Sequence, residues 1–272
     1  MSKNGLMAGK RGVIMGVAND HSIAWGVSKA LAEQGAQIAF TYQNEALLKR
    51  VEPLAQALDA ELLIECDVSK DNGIMEAFET VGKTWDSIDF VVHAIAFADK
   101  TELRGKYFET TRGNFSMALD ISCFSFTETC KAALPLMEKR GGSIITLTYY
   151  GAEKVIPHYN VMGVAKAALE ASVRYLAADM GEYNIRVNAI SAGPVRTLAS
   201  AGIGDFRYIS QWTKANSPLA RDTSLEDVGG AGVYLLSNLA SGVTGEVHHV
   251  DCGYHVVGMK GLNVPDISTV KG

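Results

Sequence analysis

The stretch GVIMGVANDHSIAWG, residues 12–26, reads as a β-strand that runs into a glycine turn and leaves it along a helix. GVIMGV (12–17) is apolar and β-rich. Ser22 is a candidate N-cap, and the helical pattern from residue 22 stops at Gly35. In an α/β fold, a strand–glycine–helix unit at the start of the chain is where unpaired helix amides meet a phosphate anion. Gly16 lets the backbone come close, and Gly26, one turn in, predicts close packing of the helix on the sheet. The spacing is not GxGxxG, so this turn gains its meaning from its place after the first strand.

Outward from that unit the two periodicities alternate. Strands are predicted at 36–42, 61–68, 88–97, 142–150, 185–192 and 245–253. Helices are predicted at 45–58, 71–85, 113–139, 158–182 and near 225–237, with Pro157 marking a helix start and 197–217 less regular. The run IDFVVHAIAF (88–97) is almost wholly apolar, as a central parallel strand covered on both faces requires. Strict β-α-β alternation predicts an α/β, Rossmann-like, doubly wound parallel sheet of about seven strands with helices on both faces. No Pro- or Ser-rich linker and no repeat interrupts the 272 residues. One domain is expected over 1–272, with a core at about 8–258 and a tail at 261–272.

Apolar residues make up 47% of the chain and charged residues 20%, a composition that fills a globular core. A net charge of −5 gives no basic face for nucleic acid, and no run of 18 apolar residues suggests a membrane span. The first residues lack a signal-peptide core. Cys66, Cys123, Cys130 and Cys252 match no zinc or CxxC spacing. Reduced, buried thiols in a cytoplasmic protein are expected. His248 and His249 are adjacent on a predicted strand and point to opposite faces, so no metal site is expected from them.

Strand ends locate the candidate ligand contacts. The second strand ends TYQN, where Gln43 offers a ribose hydroxyl a hydrogen bond without charge. NADH is therefore favoured over NADPH, whose 2′-phosphate calls for a nearby Arg. After the third strand, Asp67 offers an acceptor to an adenine amino group and Val68 a surface for the ring, although Asp67 also suits a helix N-cap. Tyr149 and Tyr150 end the fifth strand, and alternation puts only one of them toward the crevice. In YNVMGVAK (159–166), Tyr159 and Lys166 are seven apart. Seven helical residues return to within about 20° of one face, with about 10 Å of rise between the groups. Lys166 can then reach ribose hydroxyls while Tyr159 stands over a substrate. Gly163, Ala165, Ala167 and Ala168 keep that helix smooth.

Taken in order, GVANDHSIAWG, TYQN, CDV, HAIAFADK, LTYYGAE, YNVMGVAK, RVNAISAGPVRTLA and GEVHHVDCG resemble the NAD-dependent enoyl-acyl-carrier-protein reductases of bacterial fatty-acid synthesis. These form a divergent branch of the short-chain dehydrogenase/reductase superfamily, most of which has three residues rather than six between the tyrosine and the lysine. Met162 occupies the position that the shorter spacing would give to tyrosine. The resemblance implies NADH-dependent reduction of the trans-2 double bond of enoyl thioesters. The alternative is another superfamily member acting on a ketone or alcohol.

By position, the resemblance assigns cofactor contacts to Gly16, Ser22, Ile23, Gln43, Asp67, Val68 and Ile95, and the nicotinamide ribose to Lys166. Val195, Arg196, Thr197, Leu198 and Ala199 would touch the nicotinamide and the phosphates. Tyr159 would face the thioester carbonyl, Tyr149 matches the family's second cleft tyrosine, and Ala98 would line the substrate site. Residues 197–215 would form a substrate-binding lid. Implied partners are acyl carrier protein and three further copies in a homotetramer. Ala96 stands where the family commonly has glycine, and Arg207 supplies most of the lid's positive charge.

Overall fold

The structure, a computed structural model, describes residues 5–197, 205–262 and 264. Seven strands form one parallel sheet: β1 (Arg11–Met15), β2 (Gln37–Tyr42), β3 (Leu62–Glu65), β4 (Phe90–His93), β5 (Gly142–Thr148), β6 (Ile185–Ala192) and β7 (Val247–Val250). Their order across the sheet is β3-β2-β1-β4-β5-β6-β7. The helices are α1 (Ile23–Glu33), α2 (Glu45–Ala57), α3 (Gly73–Thr84), α4 (Arg112–Leu119), α5 (Ser125–Met137), α6 (Asn160–Gly181), α7 (Phe206–Asn216) and α8 (Leu225–Leu236).

Strand alternation sorts the core into two layers. Val13 and Met15 of β1 face one side with Val91, Ile144 and Val187, under Phe78 of α3, Phe126 of α5 and Val173 of α6. Ile14 faces the other side with Phe40, Val92, Ile145 and Ile190, under Val27 of α1, Val51 of α2 and Leu235 of α8. Each large apolar side chain buried in these layers contributes about 1.5–3 kcal/mol. Because β2 and β4 flank β1 on opposite sides, the chain reverses its winding there. The crevice beyond the carboxyl ends of β1 and β4 is the binding position of such sheets.

Five departures of the elements from the sequence reading bear on the site. The strand expected over 88–97 ends at His93. Beyond it the Phe97 backbone bonds to a side chain in place of a strand: its N–H donates to Ser122 Oγ at 2.9 Å, and its carbonyl accepts from that hydroxyl at 3.0 Å. The single helix expected over 113–139 is divided by a π-helical turn at Asp120–Phe124, which carries Ser122. Pro157 opens a turn and not a helix, because His158 and Asn160 have φ of 59° and 36°. Tyr159 is consequently the N-cap of α6 and stands just outside it. The region read as less regular contains α7. The last strand is four residues long, closed by Asp251, whose carboxylate accepts from the Gly253 and His255 amides.

Candidate active site

The site is built first from backbone. Gly16 has φ of 99°, and a Cβ there would overlap the Ala94 carbonyl oxygen that follows β4. Only glycine fits both demands. Ser22 Oγ accepts from the Ala18 and Asn19 amides at 3.0 and 3.1 Å, which folds the turn back on itself. That hydroxyl makes no side-chain cap on α1, so it leaves the helix N-terminus open toward the crevice. Gly26 does not serve contact with the sheet as its position suggested. A Cβ there would stand 2.8 Å from Leu225 Cβ, so this glycine admits α8 against α1. Ile23 packs half-buried on the same layer.

At the end of β2, Gln43 Nε2 donates to Asp67 Oδ1 at 3.4 Å, bringing two predicted contacts together. Asp67 is not a helix cap: Asn72 holds that position for α3. Asp67 Oδ1 instead accepts from the Ser69 amide and hydroxyl at 3.0 and 2.7 Å. Burial raises this carboxyl, but the Ser69 bonds and then Gln43 outweigh it and hold the group below the usual carboxylate range. Val68 and Ile95 are half-buried against the layer under α3 and α5, and Ala96 is exposed.

The segment after β4 is gripped from α4 and from the π-helical turn. Ser122 holds Phe97 at both backbone atoms, and Asn114 Oδ1 accepts from the Asp99 amide at 2.8 Å. These two side chains were not singled out by sequence. A polar residue within an apolar helical pattern was the available signal. Between the two anchors lies Ala98, which packs in one cluster with Tyr149, Tyr159, Leu103 and Met162.

Tyr149 and Tyr159 meet edge to face, with ring centroids 5.1 Å apart and planes at 80°. A Cβ on Gly151 would overlap the Tyr159 ring, and one on Gly163 would lie 2.8 Å from the Gly151 carbonyl oxygen. Two glycines therefore form the slot for one tyrosine. Tyr150 turns away: its ring meets Tyr254 at 5.8 Å and its hydroxyl donates to the His255 carbonyl at 3.4 Å. Burial pushes the Tyr159 phenol up, with further contributions from Tyr149 and Glu170, and burial does the same to Tyr149. Both therefore stay protonated as hydroxyl donors near neutral pH.

Lys166 is buried in α6, and its Nζ donates to the Leu147 carbonyl at 2.8 Å. Burial lowers this amine to about 8, against the opposing influence of Cys123 and Glu170. His93, at the end of β4, is fully buried between Thr146 Oγ1 at 3.0 Å and Ser125 Oγ at 2.9 Å. Burial, and then the Lys166 charge, push it down to about 3, so it is neutral. Val195, Arg196 and Thr197 follow β6 after Gly193 and Pro194, with Arg196 exposed, whereas Leu198 and Ala199 lie outside the described residues. His248 meets Tyr234 at 6.0 Å while His249 stacks on His255 at 4.0 Å, so the two imidazoles do point apart. All four cysteines are free and buried.

Comparisons with known proteins agree with this architecture. Residues 16–255 match the family model described as enoyl-(acyl carrier protein) reductase. The enoyl-[acyl-carrier-protein] reductase [NADH] 1 of Rhizobium meliloti (strain 1021) is 64% identical over 268 residues, 98% of each chain. The crystal structure of the Anaplasma phagocytophilum reductase in complex with NAD is 61% identical with a TM-score of 0.92, covering 96% of this chain and 100% of that one. The Bacillus cereus enoyl-acyl carrier protein reductase, solved with NADP+ and an indole naphthyridinone, is 49% identical with a TM-score of 0.91, covering 94% of this chain and 100% of that one. This chain belongs to the enoyl-(acyl carrier protein) reductase family.

Proposed function

We propose that this protein reduces the trans-2 double bond of enoyl thioesters carried on acyl carrier protein, using NADH, as a step of fatty-acid elongation. The observation that carries this reading is the Tyr149–Tyr159 pair, packed edge to face with Lys166 buried about two helix turns beyond Tyr159. The cradle fits a dinucleotide. The Gly16 backbone closes on Ala94, the first turn of α1 has no side-chain cap, and Gln43 and Asp67 stand together at the adenosine end. NADH, when bound, supplies the hydride that reaches the substrate β-carbon.

The protein's own groups supply the rest. Tyr159 donates a hydrogen bond to the thioester carbonyl, where negative charge develops as the β-carbon is reduced. A donor aimed at that oxygen favours the transition state over the ground state. Tyr149 supports the Tyr159 ring from the side and closes the substrate space with Ala98. Lys166 holds the nicotinamide ribose and adds a positive field beside the oxyanion. Gly16, Ser22 and Ile23 take the pyrophosphate end, Val68 and Ile95 flank the rings, and Val195 to Ala199 border the nicotinamide. Met162 lies buried in the Tyr159 cluster and offers no hydroxyl for a ketone reductase arrangement.

We read the chain as one domain with 197–215 as the lid, the second part of which lies in the helix Phe206–Asn216. Exposed Arg207 on that helix would meet the acidic carrier. A homotetramer is supported by the exposed aromatics Phe124 and Tyr175 and by the half-buried edge strand β7. Sedimentation of the purified protein checks it. No helix among the described residues is long and apolar enough to cross a membrane. The cytoplasm is the expected site of action, where the four thiols stay reduced. The decisive assay mixes protein, NADH and a crotonyl thioester and follows nicotinamide absorbance. Turnover of an acetoacetyl thioester without turnover of the crotonyl thioester would replace this reading with that of a ketone reductase.

A further inference from the structure

Of the two acids on α6, Asp179 is exposed and Glu170 is buried, with 8% of its surface accessible. Glu170 follows Lys166 by four residues and so shares its helix face. The two side chains end on adjacent residues of one strand, one on its backbone and one on a side chain. Lys166 Nζ donates to the Leu147 carbonyl at 2.8 Å, and Thr148 Oγ1 donates to Glu170 Oε1 at 2.7 Å. Leu147 and Thr148 are the last residues of β5, and the next residue is Tyr149, whose ring supports Tyr159.

A buried carboxylate with a single neutral donor is an expensive clamp. Glu170 has no ion-pair partner among the described residues, and a neutral amide would accept the same bond from Thr148. Burial raises this carboxyl, against the Thr148 bond, so a charge held here calls for a second use. The group that gains from it is Lys166, which would otherwise stand as an isolated cation inside the protein.

We propose that Glu170 is a positioning residue for the reduction, holding the end of β5 against α6 through Thr148 and keeping Lys166 in its ammonium form. This rests on the assignment of Lys166 to the cofactor ribose. The other groups facing the pair are few. Cys123 of the π-helical turn and uncharged His93 of β4 face Lys166. Glu153 after β5, His249 of β7 and Arg174 of α6 act on Glu170, and Glu170 in turn acts on the buried Tyr159 phenol at the start of α6.

The test uses the full-length protein with three substitutions: Glu170→Gln, Thr148→Val and Lys166→Ala. Steady-state rates with NADH and a crotonyl thioester are measured from acid to alkaline pH, with thermal melting in parallel. Glu170→Gln keeps the acceptor and removes the charge. The expected result is a rise in KM for NADH by roughly tenfold. The alkaline limb of kcat/KM for NADH, set by Lys166 near 8, should also move to lower pH. Thr148→Val keeps the charge and releases β5. It should lower kcat for the thioester and leave the alkaline limb in place. Glu170→Gln with an unchanged limb and unchanged KM overturns the proposal, as does Thr148→Val with unchanged kcat if the Gln variant fails to fold. Lys166→Ala separates the two layers of the argument. If it weakens NADH binding while Glu170→Gln does not, only the role of Glu170 falls. If it leaves NADH binding unchanged, the ribose assignment falls and the proposal with it.

Discussion

The two ends of the crevice are made of different material. At the β1–α1 end the working surface is backbone: Gly16 against the Ala94 carbonyl, and the open first turn of α1. At the β5–α6 end it is side chain: the Tyr149–Tyr159 pair, the Lys166 ammonium and the neutral His93 behind them. A backbone surface recognises any pyrophosphate and tolerates no added atoms. A side-chain surface can be altered one functional group at a time, so chemistry and binding separate there. The difference teaches which substitutions report on folding and which on catalysis.

The largest expected effect is on the side-chain end. Tyr159→Phe keeps the edge-to-face packing and removes the donor, so kcat should fall by roughly 100- to 1000-fold. KM for NADH should barely move, and steady-state kinetics with a crotonyl thioester reads both. An unchanged kcat would make that end a packing surface like the other. On the backbone end, Gly16→Ala should act oppositely. Strain at positive φ costs about 1–3 kcal/mol, and the overlap with Ala94 adds to it. Melting temperature and NADH affinity should drop together, with kcat at saturating cofactor little affected.

His93 links the two ends, and pH probes it. Its folded value of about 3 lies below the ordinary histidine value, so between the two the unfolded chain holds the extra proton. The stability is complete above about pH 6.5 and is lost on acidification, at about 1.4 kcal/mol per pH unit. Denaturant melts from pH 7 to 4 should show that slope, reduced in His93→Asn. The smallest effect is expected at Gln43. It brings no charge, so Gln43→Arg should improve kcat/KM for NADPH relative to NADH by roughly tenfold, the worth of one surface charge-assisted hydrogen bond. A ratio that does not move would place the 2′-hydroxyl elsewhere than beside Gln43.

The sheet was legible because parallel strands buried on both faces write themselves as apolar runs, as β1, β2, β4, β5 and β6 do, while the edge strands β3 and β7 are less buried. Tyr149 and Tyr150 show the limit. Alternation says only that they diverge; the resemblance pointed to Tyr149, and the structure packs Tyr149 against Tyr159 and Tyr150 against Tyr254. Where apolar patterning continued past an element's true end, the sequence misled. FVVHAIAF reads as one strand, yet Ser122, remote in sequence, takes both backbone bonds at Phe97. Glu170 and Gly151 were illegible for the same reason. Each is defined by a neighbour from another element, Thr148 for one and the Tyr159 ring for the other.

The π-helical turn at Asp120–Phe124 has a further effect, on rotational phase. One residue of helix is worth about 100° of rotation. Before the turn, Ala118 and Leu119 point at the Tyr159 cluster; after it, Phe126, Cys130 and Met137 point at the sheet. A single continuous rod could not address both targets in this way, and the surplus residue works as a phase shifter between them. Deleting one residue from 120–124 would turn either the side chains packed on the Tyr159 cluster or the core stripe toward solvent, while leaving every residue it turned chemically intact.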